Sequence, residues 1–262
     1  MPNKILCTVA VLTKNSAETL ARALESAKEF AEIIVCDGGS TDRTLDIARA
    51  YGARIIPQDP VFKDAEGRIK DFAGVRNQTL HVSTQDWFFY LDSDEVLTRA
   101  LVSEIREIAA GKPAAVWVDR KYEIDGEVIE RAATYPTRQM RLFHKSAVTE
   151  FIKPIHERIN PKTDVVIVTT KNFMLVPVSS DPRVWREKWK HYIELEVFRR
   201  GKISVWQWLG VCLENLKISI LFAIRFLRYS LFSRGSKMPL SLEWERHVYH
   251  FNLCRALLTS TI

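Results

Sequence analysis

Residues 86–95 read Asp86-Trp87-Phe88-Phe89-Tyr90-Leu91-Asp92-Ser93-Asp94-Glu95, and the fold turns on them. Five apolar or aromatic residues in a row, bounded by acids, predict a strand buried on both faces, as in a parallel sheet. That strand, residues 86–92, runs straight into carboxylates. Open parallel sheets bind ligands in the crevice beyond the carboxyl ends of their strands, so an Asp-x-Asp at this point marks a candidate site.

The flanks agree. Residues 71–82 read as a helix before the strand, and residues 98–110, closed by Gly111, read as the helix after it. A further strand is expected at residues 114–119. At the N-terminal end, the β-branched run of residues 5–13 reads as a core strand, not a signal peptide. Asn15 with Glu18 three positions on has the form of a capping box opening a helix that carries Leu20, Leu24, Ala27 and Phe30. Residues 33–37 give a second strand. The turn Gly38-Gly39-Ser40-Thr41-Asp42 then opens a helix that stops at Gly52, ahead of a short strand at residues 54–56. Strand, helix, strand, helix, strand is a right-handed α/β unit with a mainly parallel sheet flanked by helices.

Beyond residue 120 the pattern changes. Asp125-Gly126 marks a hairpin turn, and residues 120–180 read as mixed β structure and loop with one clear strand at 165–170. Pro177 to Pro182 is the best boundary, because helical and aromatic composition takes over after it. Charge shifts at the same place. The 262 residues carry a net +6, but residues 183–262 alone hold 14 Lys+Arg against 6 Asp+Glu. Trp and Phe alternate with those cations, and no helix-turn-helix, zinc-finger or RNA-binding signature accompanies them, which sets nucleic acid aside. Between residues 204 and 232, Gln207, Glu214, Lys217, Arg225 and Arg228 fall on one stripe roughly 80° wide, with nearly everything else apolar. A basic amphipathic helix in the headgroup region of an anionic bilayer fits this pattern, and a helix pair packed back as core is its rival. The polar residues interrupt every 18-residue apolar window, so no membrane span is expected. Cys7, Cys36, Cys212 and Cys254 lie far apart with no C-x-x-C pair and read as ordinary thiols.

Three polar clusters end strands: Thr13-Lys14-Asn15, Asp37 to Asp42, and Asp92 to Glu95. Any one of them could be plain turn chemistry. Together, on VAVLTKNSAETLARALES, EIIVCDGGSTDRTLDIARAYGARI and DWFFYLDSDEVL, the chain resembles glycosyltransferase family 2, whose fold is called GT-A. The likeness is good over about the first 110 residues. It continues more weakly through RLFHK and PIHERI, which look like the branch acting on lipopolysaccharide cores and related bacterial glycans.

The resemblance implies an inverting, metal-dependent enzyme moving a sugar from a nucleotide-diphospho-sugar, a UDP-sugar first, to a lipopolysaccharide-core or lipid-linked glycan acceptor. It implies a donor site of Thr13, Asn15, Asp37, Arg76, Asp92 and Ser93. Mn²⁺ or Mg²⁺ would sit on Asp92, Asp94 and His156, since hard cations take oxygen ligands and need only one or two protein carboxylates beside a diphosphate. Asp94 and Glu157 are the catalytic expectations, Glu157 as the base, with Asp119, Glu123 and Asp125 as rivals. Family members often have two acids where this chain has Asp37-Gly38. Asn15 as a helix cap and Arg76 as a solvated helix arginine remain open.

Residues 1–118 would then bind the nucleotide sugar, 119–182 form the acceptor side, and 183–262 form a helical membrane-associating region. Partners would be the nucleotide sugar, the glycan acceptor and an anionic membrane surface, with the protein peripheral to the inner membrane face on the cytoplasmic side. Two other functions remain: a nucleotidyltransferase, though Thr13-Lys14-Asn15-Ser16 lacks that class's glycines, and a non-catalytic membrane scaffold retaining the fold.

Overall fold

A computed structural model describes residues 4–155 and 157–259. They form two compact units, one from residues 1–121 and 137–176, the other from 122–136 and 177–262.

In the first unit, β1 (Ile5–Thr13), α1 (Leu20–Ser26), β2 (Phe30–Asp37), α2 (Thr44–Ala50) and β3 (Arg54–Pro57) make the expected parallel unit. A loop with a single 3₁₀ turn leads to α3 (Phe72–Val82), β4 (Trp87–Asp92), β5 (Val96–Leu97), α4 (Arg99–Ala109) and β6 (Ala114–Ile124). Next come β7 (Glu127–Val128), β8 (Thr137–His144), β9 (Val148–Ile152), β10 (Arg158–Pro161) and β11 (Val166–Pro177).

Among the described residues the main sheet runs β3-β2-β1-β4-β8-β6-β11-β5, and β9 with β10 forms a separate ribbon. The neighbours β3, β2, β1 and β4 are parallel, whereas β8 joins β4 antiparallel and β6 joins β8 antiparallel.

Alternation along β4 explains its apolar run. Phe89 and Leu91 join Leu24, Leu101 and Ile105 on one face, while Phe88 and Tyr90 join Phe143 and Phe151 on the other. Burying a Phe or Leu side chain contributes about 2–3 kcal/mol, so the strand resists any register slip that would turn these faces outward. Asp71 caps α3 by accepting from the Gly74 N–H at 2.9 Å, and Thr98 caps α4 by accepting from Leu101 at 3.2 Å.

One start differs. The first helix begins at Leu20, with Thr19 as an N-cap that makes no side-chain capping bond. Asn15 lies upstream in the left-handed region, φ 51°, and its side chain is engaged elsewhere. The reason is competition: an Asn side chain that satisfies a neighbouring loop cannot also cap a helix.

In the second unit, Asp125 and Gly126 both have positive φ, as a two-residue hairpin turn demands, and they pair the end of β6 with β7. Three helices follow: α5 (Pro182–Arg200), α6 (Val205–Phe232) and α7 (Leu240–Thr259). Asp181 caps α5 with Pro182 at its first position, and Gly201 at φ 59° ends it. Ser204 and Gln207 form a capping box on α6. This unit's core joins Ile124, Ile129 and Ala132 to Trp185, Met238 and Leu242. Buried Glu243 accepts from the Ala133 N–H at 2.8 Å and from the Tyr229 hydroxyl at 3.0 Å. Among the described residues no helix is long and apolar enough to cross a membrane.

Candidate active site

Sheet register builds the site. Thr13 lies opposite Asp37, and Leu12 opposite Asp92, so the ends of β1, β2 and β4 finish level. Around them opens a cavity of about 200 Å³ lined in part by Thr13, Lys14, Gln58, Arg76, Asp92 and Ser93.

Asp37 is buried and fully committed. One oxygen accepts from the Gly39 and Ser40 N–H groups at 2.8 and 2.9 Å, the other from the Ser40 and Thr13 hydroxyls at 2.5 and 3.2 Å. Burial pushes its carboxyl up, but those donors, Ser40 foremost, outweigh burial and hold it below the usual range. Asn15 does for the same loop what Asp37 does from below. Its amide oxygen accepts from the Thr41 N–H at 2.8 Å while its own N–H donates to the Ser40 hydroxyl at 2.8 Å.

The Gly38 departure has a steric cause. A Cβ there would stand 2.9 Å from Gln58 Oε1 and 3.1 Å from the Thr13 carbonyl oxygen. Gln58 occupies the space an acid would need, donating to the carbonyls of Thr13 and Cys36 at 3.3 and 3.2 Å.

Asp92 sits between two arginines. Arg76 Nη2 donates to one oxygen at 2.5 Å and Arg141 Nη2 to the other at 3.0 Å. Burial opposes ionisation, yet the Arg141 and Arg76 guanidiniums hold this carboxyl well below the ordinary range. The chain of charges continues. Arg141 also donates to Glu95 at 3.0 Å, and Arg120 donates to the same Glu95 oxygen at 2.5 Å. Arg76 Nε reaches Glu157 at 3.4 Å. Three carboxylates therefore alternate with three arginines, and the Tyr90 ring lies between two of them, 4.7 Å from Arg76 and 4.4 Å from Arg141.

Glu95 is 1% exposed; burial lifts its carboxyl, Arg141 opposes this, and the neighbouring Asp92 charge adds to it. Burial lowers Arg141, but Asp92 and then Glu95 more than compensate and raise it.

Ser93 donates to Ser16 at 3.1 Å. Asp94 is half-buried and, among the described residues, has no hydrogen-bond or ion-pair partner. His156 lies outside the described residues. Of the rival bases, Asp119 is paired with Arg138 at 2.7 Å and Asp125 forms the left-handed hairpin turn.

The donor set can be tested against a divalent cation. Among the described residues no three His, Cys, Asp or Glu side chains converge into a cage. Asp94 fits a Mg²⁺ or Mn²⁺ that takes most of its ligands from phosphate and water, whereas both Asp92 oxygens are already occupied.

Sequence reading passed over Arg141, Arg120 and Gln58. Arg141 stands inside the apolar run Met140-Arg141-Leu142-Phe143, and a charge in a buried strand is tolerated only when paired. That was the available signal. Arg120 and Gln58 carried none, because their partners are distant in sequence.

Comparison with known proteins follows the same lines. The chain is 32% identical over 130 residues to an uncharacterized glycosyltransferase of Rickettsia bellii, covering 48% of this chain and 40% of that one. It is 26% identical over 188 residues to the lipopolysaccharide core biosynthesis glycosyltransferase LpsC of Rhizobium meliloti, 70% of this chain and 68% of LpsC. It thus spans about two fifths of the Rickettsia protein. A crystal structure of S. aureus TarS 1–349 in complex with UDP-GlcNAc is 14% identical, with 96% of this chain and 81% of that chain covered and a TM-score of 0.47. The parallel half-sheet extended by antiparallel β8 and β6 is the GT-A arrangement expected above. With the model of Glycosyl transferase family 2 matching residues 8–176, the chain belongs to that family.

Proposed function

We propose that this protein transfers a sugar from a nucleotide-diphospho-sugar, a UDP-sugar in the first instance, to a lipopolysaccharide-core or lipid-linked glycan, with inversion. The observation that carries this is the level ending of β1, β2 and β4 around a 200 Å³ cavity lined by Thr13, Arg76, Asp92 and Ser93, with Asp94 next in the chain.

In this reading Thr13, Asn15 and Asp37 shape the nucleoside end, the last two by ordering the loop at residues 38–42. Arg76, 3% exposed, has a buried Nη1 without a partner, a donor available to a diphosphate oxygen. Asp94 would hold Mn²⁺ or Mg²⁺, with Asp92 and His156 beside it. When bound, that cation offsets the negative charge building on the departing diphosphate. Glu157 accepts the proton of the acceptor hydroxyl; the hydroxyl oxygen bonds to the anomeric carbon from the face opposite the leaving group, and the carbon–oxygen bond to the diphosphate breaks.

The lipid-linked acceptor suits a protein held peripherally on an anionic membrane surface from the cytoplasmic side. Supporting this, α6 exposes Trp206, Leu213, Leu216, Ile220, Ile224 and Leu231, with Lys217 and Arg228 alongside.

The test is release of nucleoside diphosphate from a panel of sugar nucleotides, with and without Mn²⁺ and a rough lipopolysaccharide acceptor. Acceptor-stimulated release supports transfer. Release of sugar 1-phosphate instead, the leaving group when the nucleotidyl phosphorus is attacked, would indicate a nucleotidyltransferase, and no release of either would indicate a scaffold.

A further inference from the structure

We propose that Arg76 is a latch: in the donor-free protein it holds Glu157, and a diphosphate entering the cavity draws it away. The inference rests on the donor-site reading above and adds a regulation to it.

Arg76 is the one residue of the network that touches both ends of the chemistry. It lines the cavity, pairs with Asp92 at 2.5 Å and pairs with Glu157 at 3.4 Å. The two pairs are unequal. Asp92 keeps a second arginine, Arg141 at 3.0 Å, if Arg76 leaves. Glu157 has no other partner among the described residues and holds Arg76 by the longer of the two bonds.

Arg76 Nη1, meanwhile, is buried and makes no hydrogen bond. An unpaired buried N–H is costly, so the resting arrangement leaves this guanidinium short of a partner that an anion in the cavity would provide. A diphosphate is such an anion, planar bidentate recognition being what a guanidinium offers phosphate oxygens. As the guanidinium turns its Nη1 and Nη2 edge onto the diphosphate, Nε is carried off Glu157, the longer of its two pairs, while Asp92 keeps Arg141. Glu157 is then released to meet the acceptor hydroxyl only when the donor is in place. The consequence is an order of events, donor before acceptor, built into one side chain.

The test is calorimetric titration of full-length protein with UDP, GDP, ADP and dTDP, in wild type, Glu157→Gln, Arg76→Met and the double variant. At least one nucleotide should bind wild type. Glu157→Gln should tighten it by about two- to fivefold, the range expected for removing one competing ion pair. Arg76→Met should weaken it, and in that background Glu157→Gln should change Kd by less than about twofold. Equal tightening with and without Arg76 would mean that Glu157 merely repels the anion, and the latch is overturned. No tightening in Glu157→Gln overturns it as well. If Arg76→Met does not fold, Arg76→Lys replaces it, since lysine lacks the Nε donor. Failure of all four nucleotides to bind wild type overturns the donor-site reading itself.

Discussion

Asp94 and Arg141 mark the two kinds of residue at this site, one uncommitted and one wholly committed. Asp94 makes no hydrogen bond or ion pair among the described residues, so Asp94→Ala should leave the melting temperature within about 2 °C while abolishing metal-stimulated donor turnover. Full activity of that variant, or activity indifferent to EDTA, would remove the metal from the account. Arg141 is 2% exposed and balances both Asp92 and Glu95. Arg141→Met should cost about 2–3 kcal/mol in urea unfolding, below the usual range for an orphaned buried charge because each acid keeps another arginine. Acid stability follows from Asp37 and Asp92, both held below the normal carboxyl range. Their contribution is complete above the unfolded value near about 4 and is lost as pH falls through the depressed native values. Asp92→Asn should therefore flatten the loss of stability below about pH 4, and an unchanged acid limb would contradict the pairing. At this scale the acids were legible, because strand-end carboxylates announce themselves by position. For Arg141 only the need for a partner was legible, from its place in an apolar run, and not which partner, since Asp92 and Glu95 lie 49 and 46 residues away.

Helix α6 shows how much of an element a sequence pattern discloses. Its apolar breadth was plain, but the pattern could not say which part of the arc meets protein. Tyr229, Phe222, Asn215 and Trp208 turn toward α7, where Tyr229 bonds Glu243, Asn215 meets His250 at 2.6 Å and Trp208 donates to the Cys254 carbonyl at 2.9 Å. On the outward remainder, Trp206, Leu209, Leu213, Leu216, Ile220, Ile224, Leu227 and Leu231 follow three- and four-residue steps along one stripe, with Leu221 and Phe232 exposed beyond it. The side facing α7 is thus packed as core, and the outward side is the one on which the membrane proposal rests. Binding of the outer side to lipid should need apolar contact and charge together, each cation contributing about 1 kcal/mol near an anionic surface. Full-length protein should sediment with vesicles containing anionic lipid and lose much of that binding in high salt. Leu213→Glu with Ile220→Glu should abolish it. Sedimentation unchanged by these substitutions, or a salt-insensitive dimer through the same face, would set the membrane aside. Element starts were legible where a side chain caps, as at Asp71 and Thr98, and misread at Asn15, where tertiary hydrogen bonds to the Thr41 loop override the local capping motif.

On the scale of the whole molecule, the parallel unit of β1, β2 and β3 could be read from alternating periodicities, because each of its steps is local, whereas the place of β4 beside β1 pairs Cys7 with Trp87 across a long stretch of chain. The return of residues 122–136 to the helical unit could not, since it rests on contacts such as Ala133 to Glu243, 110 residues apart. The central claim concerns the first unit: its strand ends form a nucleotide-sugar site that uses Asp94. Thermal-shift measurement of the full-length protein against UDP-, GDP-, ADP- and dTDP-sugars with Mn²⁺ tests it most directly, because a ligand that binds only the folded state raises the melting temperature with its concentration. The account predicts a saturable rise with at least one sugar nucleotide, about 2.7 kcal/mol of added stability at a hundredfold excess over Kd, lost in EDTA and in Asp94→Ala. No shift with any of the four, or an equal shift in Asp94→Ala, would contradict it.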